Sequence, residues 1–361
     1  MNATRELQLA GQSLWLDNIT RQLLDDGGLA AHIKERSITG LTSNPSIFDK
    51  AIESSPAYDG DIARGVERGA SSEEIFFDLA IADLRRAADL FRPIHDRTAR
   101  VDGWVSLEVS PLLLNDARST VEMARDLHQR AQRDNLFIKI PGTEAGLKAI
   151  EESIFGGVPV NVTLLFSADQ YTRAAAAYMR GLERRVEAGL SPEVASVASV
   201  FVSRWDTAVR GQAPKEFHDK VGIAAAWQAY RSYRELLASD RWQRLSNWGA
   251  RAQRLLFAST SSKDPSSPDT MYVSGLAAPF TINTMPDETL IAFADHGRVG
   301  EMLAVDGGSS AQLLADLKAA GFDPQELAAR LQREGGESFA KSWHNLIACI
   351  DGKRQAAGVA S

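Results

Sequence analysis

The chain has 361 residues, 44% of them hydrophobic and 24% charged, a composition that supports a sizeable globular core and leaves little room for disorder outside the ends. A length in this range accommodates two average domains or one large α/β barrel. The net charge of −7 and the lack of a long basic run argue against a general nucleic-acid or membrane-surface binder, although a small anionic substrate needs only a few local cations.

Along the chain, the N-terminus "MNATRELQLAG" lacks a basic flank followed by an apolar stretch, and nowhere do eighteen apolar residues run together. Eight short apolar runs follow: "LWLDNI", "ITGLTSN", "WVSLEVS", "LFIKIP", "PVNVTLLFS", "VASVFVSR", "RLLFAST" and "FTIN". Amphipathic helices fill several intervals, from Ser71, Ser119 and Ser167, and "VGIAAAWQAYRSYRELLASDRWQRL" predicts one enlarged helix inside the long segment 206–253. Strands alternating with helices imply a parallel sheet, and eight repeats imply a closed (β/α)8 TIM barrel. Beyond Pro286 the pattern is helical only. The expectation is a single barrel domain over 1–361, with additional C-terminal helices in 287–361. The only cysteine, Cys349, precludes an intramolecular disulfide and fits a reducing compartment, so the expected location is cytoplasmic.

Side chains on a strand alternate between faces. In "VSLEVS" the apolar set is Val105, Leu107 and Val109, and Ser106, Glu108 and Ser110 share the other face. The same parity sets Asn161 and Thr163 against Val160, Val162 and Leu164, and sets Lys139 against Ile138 and Ile140. In a barrel the apolar face meets the helices. Glu108, Lys139, Asn161 and Thr163 should therefore converge on the mouth at the carboxyl ends of the strands, where barrels hold their active sites.

Lys139 is the conspicuous residue of this set. An ammonium within an apolar strand must reach water, pair with a carboxylate, or lose its charge as burial lowers its pKa from a reference of about 10.4. The last alternative makes a nucleophile. Asp17 and Asn44 fall near the ends of the first two strands, where Asp17 could cap a following helix and Asn44 could hold the turn before Pro45. Independent capping does not explain acids, amides and a lysine at matching strand positions. Polar groups gathered at one end of a barrel are costly unless they pair, and such pairing marks a site.

"GLTSNPSIF", "LFIKIPGTEAG", "NVTLLFS" and "SVFVSR", in this order over roughly residues 10–290, resemble the transaldolase family, and the longer loops resemble its larger bacterial branch. The resemblance implies transfer of a dihydroxyacetone unit from a ketose phosphate (sedoheptulose 7-phosphate or fructose 6-phosphate) to an aldose phosphate, in the non-oxidative pentose phosphate pathway. No cofactor or metal is implied. Carried over motif by motif, Lys139 forms the imine, Asp17 is the acid/base on the C4 hydroxyl, and Glu108 with Thr163 holds the proton-shuttling water. Asn44, Asn161 and Ser199 would grip the dihydroxyacetone hydroxyls. Arg204 would bind phosphate through paired donors. After the seventh strand many relatives carry an arginine where this chain has "ASTSSKDP"; Ser259 is kept and Lys263 stands as the candidate second cation.

Two other functions fit a barrel of this kind. One is a class I aldolase that releases free dihydroxyacetone; Glu108, and Phe201 in place of a tyrosine, favour the transferase. The other is an inactive barrel kept as a binding protein, against which the full set of polar residues argues. The six histidines form no H-x-H or H-E-x-x-H pair, which disfavours a hydrolytic metal site, and most read as surface or helix-end residues. The expected partners are sugar phosphates, without nucleic acid or membrane, and the expected assembly is a monomer or homodimer.

Overall fold

A computed structural model describes residues 2–359. The eight strands are β1 (Ser13–Asp17), β2 (Ile38–Thr42), β3 (Val105–Glu108), β4 (Leu136–Pro141), β5 (Val160–Leu165), β6 (Ser196–Phe201), β7 (Arg254–Ala258) and β8 (Ile282–Met285). All eight expected strands are present, with "FTIN" displaced by two residues into β8. They run parallel in the order β2-β1-β8-β7-β6-β5-β4-β3. The ring closes where the Leu41 amide donates to the Trp104 carbonyl (2.9 Å) and the Gly103 amide to that of Thr39 (2.8 Å). This is a (β/α)8 barrel.

Helix starts follow local capping chemistry. Ser71 with Glu74, and Ser167 with Gln170, form capping boxes ahead of helices Ser72–Arg97 and Ala168–Glu187. The helix expected from Ser119 starts earlier, at Ala117, because Asp116 accepts the Ser119 amide (3.1 Å) as its cap. The enlarged helix expected after residue 220 is two helices, Val221–Ala238 and Asp240–Asn247. Ser239 separates them: its backbone is extended (ψ 146°), and its hydroxyl accepts the Trp242 amide.

Strand parity sorts the core into two parts. Leu14, Leu16, Leu107, Ile138, Ile140, Val160, Val162, Val200 and Phe257 pack outward against the helices, whereas Trp15, Phe137, Val197, Leu256 and Ile282 fill the inside. Trp104 stacks on Phe137 at 4.1 Å and Trp15 lies 6.3 Å from it, so aromatic rings floor the barrel beneath the polar layer. One residue breaks the expected parity. Leu164, grouped by alternation with Val160 and Val162, belongs to the inner cluster, because β5 bulges between Val162 and Leu165 and Leu164 takes φ +57°. Its carbonyl accepts the Gln332 side-chain amide (2.9 Å).

Three helices follow β8: Asp287–His296, Ser310–Ala319 and the long C-terminal helix Pro324–Val359. The C-terminal helix packs on helices Pro45–Ser54 and Asp59–Glu67 and crosses the mouth of the barrel, where Gln332 also donates to the Gly142 carbonyl (3.2 Å). Among the described residues no helix is long and apolar enough to cross a membrane. His32 and His95 lie at helix ends yet are buried, the first paired with Asp287 (2.9 Å) and the second edge-on to Trp104.

Candidate active site

A cavity of about 780 Å³ opens at the carboxyl ends of the strands. Asp17, Asn44, Lys139, Thr163, Ser199, Phe201, Arg204, Ser259 and Lys263 line it. Glu108 and Asn161 lie one step behind that lining. The register explains the grouping: Lys139 pairs with Glu108 on β3 and with Asn161 on β5, so three inward side chains stand shoulder to shoulder around the wall.

Lys139 is buried and turned toward a carbonyl and a carboxylate. Its Nζ donates to the Ser43 carbonyl at 3.0 Å and lies 3.5 Å from Glu108 Oε2. Burial raises the Glu108 pKa above the ordinary carboxylate range; Lys139 opposes the rise and Asp17 adds to it. Glu108 Oε1 and Thr163 Oγ1 are buried without a partner among the described residues, which suits both to a water or a substrate hydroxyl. Glu108 also borders a cavity of about 10 Å³ shared with Asn44 and Trp343.

Asp17 is no helix cap, because Thr20 caps the helix that follows. Its carboxylate accepts the Thr42 hydroxyl at 2.6 Å, and Thr42 in turn meets Thr284 at 2.7 Å. Burial raises the Asp17 pKa, against the Thr42 hydrogen bond and the charges of Lys139 and Lys263. Asn44 does cap a helix, accepting the Ile47 amide at 3.1 Å, and lines the cavity as well. Ser199 donates to Asn161 Oδ1 (2.7 Å), whose amide donates to Ser106 (3.1 Å); Asn161 is thus committed to a hydrogen-bonded layer below the cavity floor.

Arg204, Lys263 and Lys50 bring positive charge to the cavity wall, and Asp269, Asp287 and Glu288 line it as well. Arg204 follows β6 at the start of helix Ser203–Val209, with its guanidinium 5.3 Å from the Phe201 ring. Among the described residues no carboxylate lies within 4 Å of it, and burial depresses its pKa, partly offset by Glu334. Ser259, at φ +56°, bonds the Ser203 hydroxyl (2.8 Å) and ties the β7 loop to the β6 loop. Lys263 is exposed on that loop, held to Ser261 Oγ at 2.8 Å.

Many lining residues escaped the sequence reading, among them Thr42, Thr284 and Phe339. Thr42 shares parity with Gly40 in "ITGLTSN" and was accessible to the alternation argument. Thr284 lies in a strand too short for a clear pattern. Phe339 comes from the C-terminal helix, where no local signal distinguishes it from a core phenylalanine.

A (β/α)8 barrel whose mouth holds a buried lysine against one carboxylate, a second carboxylate nearby and an arginine in the same cavity has the make-up of a class: enzymes that process phosphorylated carbonyl compounds through an amine. Among the described residues no cluster of three or more His, Cys, Asp or Glu side chains is placed to hold a metal ion. Residues 14–350 match the model of the Transaldolase/Fructose-6-phosphate aldolase family, and the chain belongs to that family. A transaldolase of Frankia alni is 45% identical, covering 97% of this chain and 96% of the relative. That of Acidothermus cellulolyticus is 44% identical, covering 96% and 95%. A transaldolase 2 of a Nostoc species is 40% identical over 98% of each chain.

Proposed function

We propose that this chain is a transaldolase that moves a dihydroxyacetone unit from sedoheptulose 7-phosphate or fructose 6-phosphate to an aldose phosphate through an imine on Lys139. The observation that carries this reading is the buried Lys139–Glu108 pair at 3.5 Å, set behind a cavity that Asp17 also lines. A lysine must shed its proton before it attacks a ketone carbon. Glu108, with a pKa raised by burial, is a better acceptor for that proton than an exposed carboxylate would be. Thr163, whose hydroxyl has no partner among the described residues, would help to hold the water that carries protons while the imine forms and hydrolyses.

With the imine formed, Asp17 removes the proton of the C4 hydroxyl, the C3–C4 bond breaks and the aldose phosphate leaves. The three-carbon unit stays on Lys139 until the carbonyl carbon of a second aldose phosphate takes the electron pair at C3 and Asp17 returns its proton. Asn44 and Ser199, which line the cavity, would bind the dihydroxyacetone hydroxyls, with Asn161, the hydrogen-bond partner of Ser199, orienting it. Arg204, Ser259 and Lys263 form the phosphate end.

Borohydride reduction in the presence of fructose 6-phosphate tests this reading. The expected product is a three-carbon adduct on Lys139, and erythrose 4-phosphate should be required for steady release of glyceraldehyde 3-phosphate. Labelling at Lys148, exposed on the following helix, or acceptor-independent release would overturn it.

A further inference from the structure

On the reading that Lys139 carries the dihydroxyacetone unit, we propose that Phe339 is a specificity-determining residue that keeps bulk water from C3 of the three-carbon intermediate, on which the proton-carrying water held by Thr163 does not act, so that the intermediate waits for an aldose acceptor. The Phe339 ring centroid is 6.0 Å from Lys139 Nζ and 6.0 Å from Arg204 Cζ, and 6.5 Å from the Phe201 ring, which it meets edge-on. The two rings form an apolar patch beside the reacting amine and the Arg204 guanidinium. Phe339 is only 5% exposed.

The C-terminal helix is built to deliver that ring. Gln332, Gly335, Phe339 and Ser342 recur at the three- and four-residue spacing of one helical face. Gln332 binds the carbonyls of Gly142 and Leu164, and Ser342 meets Ser46 at 2.7 Å. Gly335 lets the helix approach, since a Cβ there would lie 2.9 Å from Leu164 Cδ2 and 3.4 Å from Arg204 Nη1.

The chemistry makes water exclusion decisive. After C3–C4 cleavage the electron pair is shared between C3 and the imine nitrogen. If a proton from water reaches C3, the intermediate becomes the dihydroxyacetone imine; water then adds at C2, the C2–N bond breaks, and free dihydroxyacetone leaves with the Lys139 amine restored. If an aldehyde takes the pair instead, a new carbon–carbon bond forms and the transfer is complete. Which outcome dominates depends on access of water to C3, and an aromatic ring beside the amine limits that access.

The test measures free dihydroxyacetone against sedoheptulose 7-phosphate, formed from fructose 6-phosphate and erythrose 4-phosphate, in wild type, Phe339→Ala, Phe339→Leu and Leu327→Ala. Phe339→Ala should raise the ratio at least ~10-fold, equivalent to about 1.4 kcal/mol between the two barriers, and Phe339→Leu, which restores apolar bulk, should return most of it. Leu327, buried on the same helix but away from the cavity, should leave the ratio at the wild-type value. An unchanged ratio in Phe339→Ala, or an equal rise in Leu327→Ala, overturns the proposal. A wild type that neither transfers nor forms the Lys139 adduct would instead remove the functional reading beneath it.

Discussion

At the scale of single residues, the site turns on two carboxylates that share one lysine. Asp17 and Glu108 both have pKa values raised by burial, but their surroundings differ: Glu108 faces Lys139 directly, while Asp17 accepts the Thr42 hydroxyl and opens to the cavity. On the proposed mechanism, that division would separate the acid that serves the amine from the acid that serves the sugar. Asp17→Asn should therefore lower kcat by about 10²- to 10⁴-fold with little change in KM, the signature of a lost proton acceptor. Imine formation should survive. Borohydride would then label Lys139 with the uncleaved sugar, and a change confined to KM would reduce Asp17 to a ligand.

At the scale of elements, the polar mouth depends on a well-packed floor. Trp15 on β1 lies flat over Gly40 on β2, and its indole nitrogen donates to Asp102 at 2.8 Å. A Cβ at Gly40 would come within 2.5 Å of the ring, which Phe137 and Asp102 hold in place. Gly40→Ala should cost about 1–3 kcal/mol, the range for overpacking a filled core, because a rigid indole cannot step aside as a leucine tip can. Urea unfolding should show a lower midpoint with an unchanged slope. An unaltered midpoint would mean that the floor has slack. The bulge in β5 is a second device of this kind: it turns Leu164 into the barrel and frees its carbonyl for Gln332.

At the scale of the whole molecule, one buried acid outside the site should shape stability. Asp206, 2% exposed, accepts the amides of Val221 and Gly222 and the Tyr272 hydroxyl, and so joins the helix after β6 to the helices before and after β7. Burial pushes its pKa up from 3.8 to about 6, against those hydrogen bonds. The folded state thus keeps a proton that the unfolded chain releases near pH 4. Stability from this group is full below the unfolded value, falls as pH rises from about 4 to about 6, and is level above that. Chemical unfolding from pH 4 to 7 should show wild type losing on the order of 3 kcal/mol relative to Asp206→Asn, whose amide does not ionise. A difference constant with pH would place the titration elsewhere.

The sequence by itself determined the strands and their inward polar faces, with Glu108 and Lys139 on them, because alternation and capping are local and a period of two is visible within six residues. It also carried the resemblance to the family, through motifs at the strand ends and the turns that follow them. Tertiary structure alone decided what those residues touch. That Lys139 meets the Ser43 carbonyl, that Thr42 holds Asp17, and that Asn161 lies below the cavity depend on register between strands, which no single strand encodes. Phe339 is the furthest case: it reaches Lys139 only because a helix two hundred residues along the chain folds back over the mouth, and contacts made across that separation leave no periodic trace in either segment.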